Sequence, residues 1–468
     1  MKFYITTPIY YVNAKPHLGH AYTTLAADVI ARWRRLKGDD AFFLTGTDEH
    51  GAKVAEAASA AGQEPQTFAD EVAGEFQQAW KNLNIEYSDF IRTTEPRHEK
   101  GVMAFLEVLK KNNALYEGEY RGLYCTGCEN FITEKELVDG LCPAHKKKPQ
   151  EVAEKNWFFK LSKYLAPVRR LINSDKLKIG PDSAKKEALG LLKQGLADFS
   201  VSREKVKWGI ALPWDKSQTV YVWVDALLNY ITARGYPNLS PGAWPADLQL
   251  MSKDILKFHA IYWPAMLLAA GLEPERELFA HGYFSINGQK MSKSLGNIID
   301  PNDLVKEYGA DGARYLILSQ FPFGQDGDIK VEKFKEQYNA DLANGIGNLA
   351  SRVSNLIEKN FDGAFTKKEP RASSKDFDAL LAENRIDEAL KSVVEGFREL
   401  DKKIDREKLW SLVKEDKAKA GKILSDIANE ILALAQKLAP VLPQTAQKII
   451  KQFSAKQIKK GESLFPRK

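Results

Sequence analysis

Between Phe3 and Trp80 the apolar pattern switches period three times, and this alternation narrows the fold more than any other feature of the chain. Phe3-Tyr4-Ile5-Thr6-Thr7 is a short β-rich run closed by Pro8. From Leu18 to Leu36, residues Leu25, Val29, Ile30 and Trp33 form one helical stripe, and Gly38 ends it. Ala41 to Thr47 is largely apolar and ends around Gly46, as suits a strand buried in a parallel sheet. Helical spacing then returns through Phe68, Val72, Phe76 and Trp80. Strand, helix, strand and helix in this order predict an α/β domain with a doubly wound parallel sheet. Such sheets bind ligands beyond the carboxyl ends of their strands. Here those ends are residues 8–20 and 47–51.

The pattern breaks into short pieces from Leu115 to about Leu212, which reads as an inserted domain. A β-rich run resumes at Thr219–Val224, and another short apolar segment follows around Gln249-Leu250-Met251, completing a split sheet. Trp263 to Leu272 has the look of a buried helix. From Phe334 onward helical spacing dominates, through Leu342, Ile346, Leu349 and Val353, then Leu380, Leu390 and Val394, then Leu424 to Leu434. An α-helical bundle is expected, with Pro370 to Ser374 as an inter-helix loop. The expected division is 1–114, 115–212, 213–333 and 334–468.

With 468 residues, 44% hydrophobic and 28% charged, the chain has room for about three ordinary globular domains. No apolar run approaches the ~18 residues of a membrane span. The amino terminus lacks a charged segment followed by a long apolar one, so no membrane partner and a cytoplasmic location are expected. A net charge of +6 says little, but Lys448 to Lys468 holds seven basic residues and one acidic. That run suits either a solvated helix face or a polyanion.

All three cysteines lie between Cys125 and Cys142, an odd number that argues against a disulfide framework. Cys125-x2-Cys128-x13-Cys142-x2-His145 is the spacing of a closed tetrahedral Zn²⁺ site. One structural zinc per chain is expected, with His145 as the least typical ligand. Lys146, Lys147 and Lys148 follow, and should point away from the metal.

Two further clusters carry phosphate chemistry. His17 and His20, three apart in Pro16-His17-Leu18-Gly19-His20, stand where the first helix begins. Helix N-termini attract anions, imidazoles add donors, and Gly19 leaves room for close approach. Read without the second cluster, a mere helix cap is the slightly better reading of the two histidines. Lys290-Met291-Ser292-Lys293-Ser294, with Gly296 behind it, can place two ammonium groups on a polyphosphate. Read alone, it is equally a solvated loop.

Together, in this order and context, the two clusters resemble the two signatures of class I aminoacyl-tRNA synthetases. Thr6–His20, Thr45–Gly51, Val222–Tyr230, Lys253–Leu267 and Asn348–Arg352 further resemble methionyl-tRNA synthetases of the bacterial type with a zinc knuckle, and the resemblance covers essentially the whole chain. It implies a Rossmann-like catalytic domain split by the zinc-binding insertion and followed by an anticodon-binding bundle. It also implies ATP with Mg²⁺, L-methionine and tRNA(Met), including the initiator, as partners. His17, Gly19, His20, Lys290, Ser292 and Lys293 would hold ATP, and His17, His20, Lys290 and Lys293 would act in catalysis. Ile9, Tyr11, Trp223, Ala226, Leu227, Tyr230, Ile255 and His259 would line the methionine pocket, with Asp48 on the ammonium. From the residues alone, Glu49 could face in instead of Asp48, and Trp223 could be plain core. Arg203 and Asp254 would assist. Asn348 and Arg352, four apart on one helix face, and Trp410 would meet the anticodon. Read alone, the first two are surface polar residues and Trp410 is core. A Pro commonly precedes this Trp in the family, and Leu409 stands there instead.

Discrimination by one methylene supplies only about 1–3 kcal/mol, so relatives for smaller apolar amino acids need an editing domain. The 115–212 insertion is filled by the metal knuckle and is too short for one. A cysteine-specific relative would want its metal in the amino-acid pocket. A non-catalytic tRNA-binding paralogue would not need both lysines and both histidines. No dimerising module follows the bundle, so a monomer is expected.

Overall fold

The computed structural model describes residues 1–125, 130–132, 134, 137–143, 146–291, 296–368 and 375–468. They form two compact units. One comprises Met1–Pro16, Asp40–Gln78 and Glu86–His281, and the other His17–Asp39, Ala79–Ile85 and Gly282–Lys468.

In chain order the strands of the first unit are β1 (Lys2–Thr6), β2 (Tyr10–Tyr11), β3 (Asp40–Asp48), β4 (Asp89–Arg92), β5 (Leu115–Cys125), β6 (Asn130–Ile132) and β7 (Gln150–Phe159). Then follow β8 (Lys178–Gly180), β9 (Phe199–Ser200), β10 (Ser202–Arg203), β11 (Thr219–Val220), β12 (Leu248–Ser252) and β13 (Glu277–His281). Between strands the chain forms helices α1 (Leu18–Leu36), α2 (Ala52–Ala60), α3 (Pro65–Asn82), α4 (Pro96–Lys111), α5 (Leu165–Asn173) and α6 (Asp182–Gln194). Helices α7 (Val222–Leu227), α8 (Asn229–Thr232) and α9 (Trp263–Ala269) complete this stretch.

Seven of the strands form one sheet, in which β1 lies between β3 and β12, and β13 and β8 continue outward from β12. Every pairing in it is parallel. Thr47 of β3 pairs with Tyr10 on one flank and Arg92 on the other, so β2 extends the β1 flank and β4 takes the opposite one. The chain thus winds outward from β1 in both directions. The switch point falls between β1 and β12, and ligands bind at such a point beyond the strands' carboxyl ends. Against one face pack Val102, Phe105, Leu106 and Leu109 of α4 and Trp263, Met266 and Leu267 of α9, all buried with Tyr4, Leu44, Ile91 and Leu278. Burying such side chains stabilises by about 1.5–3 kcal/mol each.

The stretch 115–212 forms a separate antiparallel sheet from β5, β6, β7 and β9. It also supplies β8, an edge strand of the parallel sheet.

One expectation is corrected. The β-rich run Thr219–Val224 is a strand only to Val220, and helix α7 begins at Val222. Val222 and Val224 are buried within a helix that sits inside the core, so their β-branched character reports burial rather than extension. Asp225 in its first turn is drawn inward by two histidines.

In the second unit, β14 (Phe284–Ile286) and β15 (Gln289–Lys290) form a hairpin, and β16 (Gly327–Ile329) pairs parallel with β14. The two-residue turn Asn287-Gly288 has φ of 50° and 77°, the left-handed values that a tight hairpin turn needs. Then come α10 (Pro301–Leu318), α11 (Phe334–Gln337), a π-helical stretch Tyr338–Gly347, α12 (Asn348–Phe361), α13 (Lys375–Ala382), α14 (Ile386–Arg406), α15 (Leu409–Glu415), α16 (Lys417–Leu438) and α17 (Pro443–Phe453). In α14, Ile386, Leu390, Val393, Phe397, Leu400 and Ile404 form one buried stripe, the amphipathic pattern of a bundle helix. The expected loop Pro370–Ser374 lies outside the described residues. Arg314 of α10 is fully buried. Its guanidinium pairs with Asp28 of α1 at 2.7 Å and donates to the carbonyls of Leu83, Asn84, Pro440 and Val441. No helix among the described residues is long and apolar enough to cross a membrane.

Candidate active site

Helix α1 opens on the histidine pair. The His17 ring accepts a hydrogen bond from the Gly19 N–H at 3.1 Å, and the His17 N–H donates to His20 Nδ1 at 3.3 Å. This reciprocal cap satisfies two backbone donors that a helix start otherwise exposes. The rings stack with centroids 3.7 Å apart. Gly19 permits this, because a Cβ there would meet His17 Cε1 at 2.9 Å. Burial, and then the adjacent His17, hold His20 well below the usual imidazole range, so its ring is neutral. No acidic residue stands in the first turn. The histidines therefore do cap the helix, and the same arrangement leaves a helix N-terminus suited to an anion.

Met291 comes close to this end of α1. Hairpin β14–β15 ends at Lys290, and an added Cβ at Gly19 would come within 3.5 Å of Met291 Cε. Downstream of the segment, Leu18 N–H donates to the Ile299 carbonyl at 3.0 Å. Ser292 and Lys293 lie outside the described residues, and Lys290 is described by its backbone. The Asn-Gly turn that delivers Lys290 was visible in the sequence as a hairpin signal but went unread there.

In the parallel-sheet unit, the carboxyl end of β3 carries Asp48, Glu49 and His50, all buried. Glu49 is already engaged. It accepts from Arg92 Nε at 2.6 Å and Nη2 at 2.9 Å, and from Thr47 Oγ1 at 2.6 Å. Of the two acidic neighbours, Asp48 is thus the one not consumed by this guanidinium. His50 Nδ1 lies 2.7 Å from Asp225 Oδ2, and His98 Nε2 lies 2.7 Å from Asp225 Oδ1. Burial alone would raise the Asp225 carboxyl, but His50 and then His98 outweigh it and hold it well below the carboxylate range. For His50, burial works downward and Asp225 upward, and the net shift is upward. Arg92, His98 and Asp225 were not singled out from the sequence. The one available signal was a lone carboxylate inside the apolar run Val222–Leu228.

The other expected pocket residues are in the same unit. Ala226, Leu227, Tyr230 and His259 are buried, and Ile9, Tyr11, Trp223 and Ile255 are partly buried against the core. Trp223 stacks on Phe258, centroids 4.0 Å apart and planes at 4°. Tyr230 Oη lies 2.8 Å from His259 Nε2. Burial lowers His259 to about 4, and burial also raises the Tyr230 phenol. Both groups are neutral, so they can meet a thioether without a charge. Arg203 is buried, with its guanidinium 3.9 Å from the Tyr221 ring centroid, while Asp254 is exposed.

Cys125 and Cys142 are buried. The N–H of Lys146 donates to the Cys142 carbonyl and that of Cys142 to the Lys147 carbonyl, a tight turn around Cys142. Cys128 and His145 lie outside the described residues, among which three or more metal-ligating side chains nowhere gather. In the bundle, Asn348 is exposed at the start of α12. Arg352 Nη1 and Nη2 pair with Asp401 at 2.6 Å and Asp405 at 2.7 Å. Trp410 is 48% exposed, so it is not a core residue.

A doubly wound parallel sheet, a His-x-x-His helix start and a Lys-Met-Ser-Lys-Ser sequence downstream define a class I aminoacyl-tRNA synthetase. The family profile described as tRNA synthetases class I (M) matches residues 3–152 and 144–354. The chain belongs to the methionine–tRNA ligase family. It is 42% identical to the methionine–tRNA ligase of Thermotoga maritima over 97% of this chain and 75% of that one. With the Streptomyces coelicolor methionine–tRNA ligase it shares 41% identity over 96% of this chain and 88% of that one. Among solved structures, Mycobacterium tuberculosis methionyl-tRNA synthetase in complex with methionyl-adenylate superposes with a TM-score of 0.93 at 35% identity, covering 100% of both chains.

Proposed function

We infer that the chain activates methionine with ATP and charges tRNA(Met). The carrying observation is the near-full-length kinship to methionine–tRNA ligases. In the first step a methionine carboxylate oxygen attacks the ATP α-phosphorus, giving methionyl-adenylate and releasing pyrophosphate. In the second the 2′-hydroxyl of the tRNA terminal adenosine attacks the activated carbonyl, loses its proton, and AMP leaves. Most of the rate enhancement comes from positioning and charge stabilisation.

His17, Gly19 and His20 receive the nucleotide at the start of α1, with two stacked rings and a glycine that admits close approach. Lys290, Ser292 and Lys293 stabilise charge moving onto pyrophosphate. Asp48 binds the methionine ammonium, and Ile9, Tyr11, Trp223, Ala226, Leu227, Tyr230, Ile255 and His259 enclose the side chain. Arg203 and Asp254 assist from nearby. Mg²⁺ would accompany ATP and neutralise its phosphates.

Cys125, Cys128, Cys142 and His145 would hold one structural Zn²⁺. The burial of Cys125 and Cys142 and the turn around Cys142 fit a closed knuckle. Residues 1–114 and 213–333 make the catalytic domain and 115–212 its insertion. Residues 334–468 bind the anticodon through Asn348, Arg352 and Trp410, and Arg352 must exchange its carboxylate partners to do so. The protein would act as a cytoplasmic monomer on tRNA(Met), the initiator included.

Incubation with ATP, labelled methionine and tRNA(Met) transcript tests this reading. It predicts methionyl-tRNA, and uncharged tRNA with active methionine adenylation would remove the transfer step.

A further inference from the structure

We propose that the buried pair His50–Asp225 is a positioning strut that sets the distance between the ammonium-binding carboxylate and the apolar wall of the methionine pocket. The inference rests on the placement of methionine between Asp48 and Trp223 given above.

The geometry is specific. His50 stands two residues after Asp48 at the end of β3, and Asp225 stands between Trp223 and Ala226 on α7. Their Nδ1–Oδ2 distance is 2.7 Å, with side-chain exposures of 5% and 1%. One hydrogen bond therefore joins the segment carrying the ammonium partner to the segment carrying the apolar wall.

Both ends of this bond are themselves fixed. Asp225 Oδ1 lies 2.7 Å from His98 Nε2, and His98 Nδ1 lies 2.8 Å from Thr232 Oγ1. On the other side, Trp208 meets the His50 ring edge-to-face at 5.4 Å. Its Nε1 donates to the Glu49 carbonyl at 2.6 Å, and its carbonyl accepts from the Gly51 N–H at 3.0 Å. Arg92 locks the Glu49 side chain. Asp48 is thereby bracketed. Its following neighbours are held by β4, by the 208 loop and by α7, and its own carbonyl accepts from the Val12 N–H at 3.2 Å.

Stability alone does not account for a buried carboxylate shared by two imidazoles, since well-packed apolar residues often serve as well. A hydrogen bond holds its partners within a few tenths of an ångström, which an apolar contact does not. The pair's charge is also internal, because the His50 proton lies against Asp225. His50 and Asp225 are positioning residues and touch no reacting atom.

The test uses the full chain and the variants His50→Ala, His50→Asn, Asp225→Asn and Asp48→Asn. Methionine- and ATP-dependent pyrophosphate exchange is measured together with thermal melting. His50→Ala is expected to raise the methionine KM by about tenfold or more while the ATP KM moves less than about twofold. His50→Asn, whose amide replaces the Nδ1 donor, is expected to recover most of the loss. Competition by 4-(methylthio)butanoate, which lacks the ammonium, should weaken less than methionine binding in His50→Ala. Asp225→Asn should resemble His50→Ala, and if it does not fold the two His50 variants decide alone. An unchanged methionine KM in His50→Ala, or parallel rises in both KM values, overturns the strut when Asp48→Asn itself raises the methionine KM. An Asp48→Asn protein with unchanged methionine KM overturns the ammonium placement, and the strut with it.

Discussion

His17 and His20 stack ring on ring, 3.7 Å between centroids and 18° from parallel, with each imidazole also accepting from a backbone N–H of the other's turn. The ring pair that caps the helix is thus the same pair proposed above to receive the nucleotide. His17→Ala should cost about 0.5–2 kcal/mol as a lost cap, in addition to slowing adenylation. His20 is held below the usual imidazole range, so the unfolded chain binds a proton there that the folded chain refuses. Stability at this site therefore rises with pH through the ordinary imidazole range and falls on acidification below about 6.5. Denaturant titrations at pH 7 and pH 5 should show a smaller acid loss for His20→Asn than for the parent.

Glu275 is fully buried, and its carboxyl has no side-chain hydrogen-bond partner among the described residues. Burial pushes its carboxyl up to about 8. Here the folded chain keeps a proton that the unfolded chain loses above the ordinary carboxylate range, so stability falls as pH rises from about 4.5 to about 8. Glu275→Gln removes the buried charge and should gain about 1–3 kcal/mol at pH 8.5, with little change at pH 5. A melting curve for Glu275→Gln as steep in pH as the parent's would contradict this placement.

Arg314 joins α1, α10 and the α16–α17 link through Asp28 and four carbonyls. Arg314→Leu strands a buried carboxylate and those acceptors. Urea unfolding should register a loss of about 3–5 kcal/mol, tempered by the Arg32–Asp28 contact at 2.8 Å. Arg314→Lys should recover little, since an ammonium cannot fan out to five acceptors.

Elemental analysis should find one zinc per chain. Cys142→Ser should lose the metal and unfold β5–β7 locally, read as faster hydrogen exchange in that sheet, with the parallel sheet unaffected. A metal-free parent with a stable β5–β7 sheet would remove the knuckle.

The sequence carried some of this plainly. The stripe from Leu18 to Leu36 matched α1, since an amphipathic helix with a glycine stop leaves two independent marks. The run Ala41–Thr47 likewise lies inside β3. Helix α7 was misread because Val222 and Val224 are buried and Trp223 is partly buried, and burial on all sides erases the period that separates helix from strand. The His50–Asp225–His98 cluster was illegible for a different reason. Its members stand 175 and 127 residues apart, and pairing over such distances is set by the sheet's topology rather than by local spacing. That Glu49 is held by Arg92 also needed the fold, because nothing in the local sequence places the β4 guanidinium against it.

Pyrophosphate exchange with ATP, measured across the twenty amino acids one at a time, tests the central claim most directly. Methionine alone should support rapid exchange, with any activity on other amino acids lower by orders of magnitude. Exchange driven best by a different amino acid, or by none, would contradict the account.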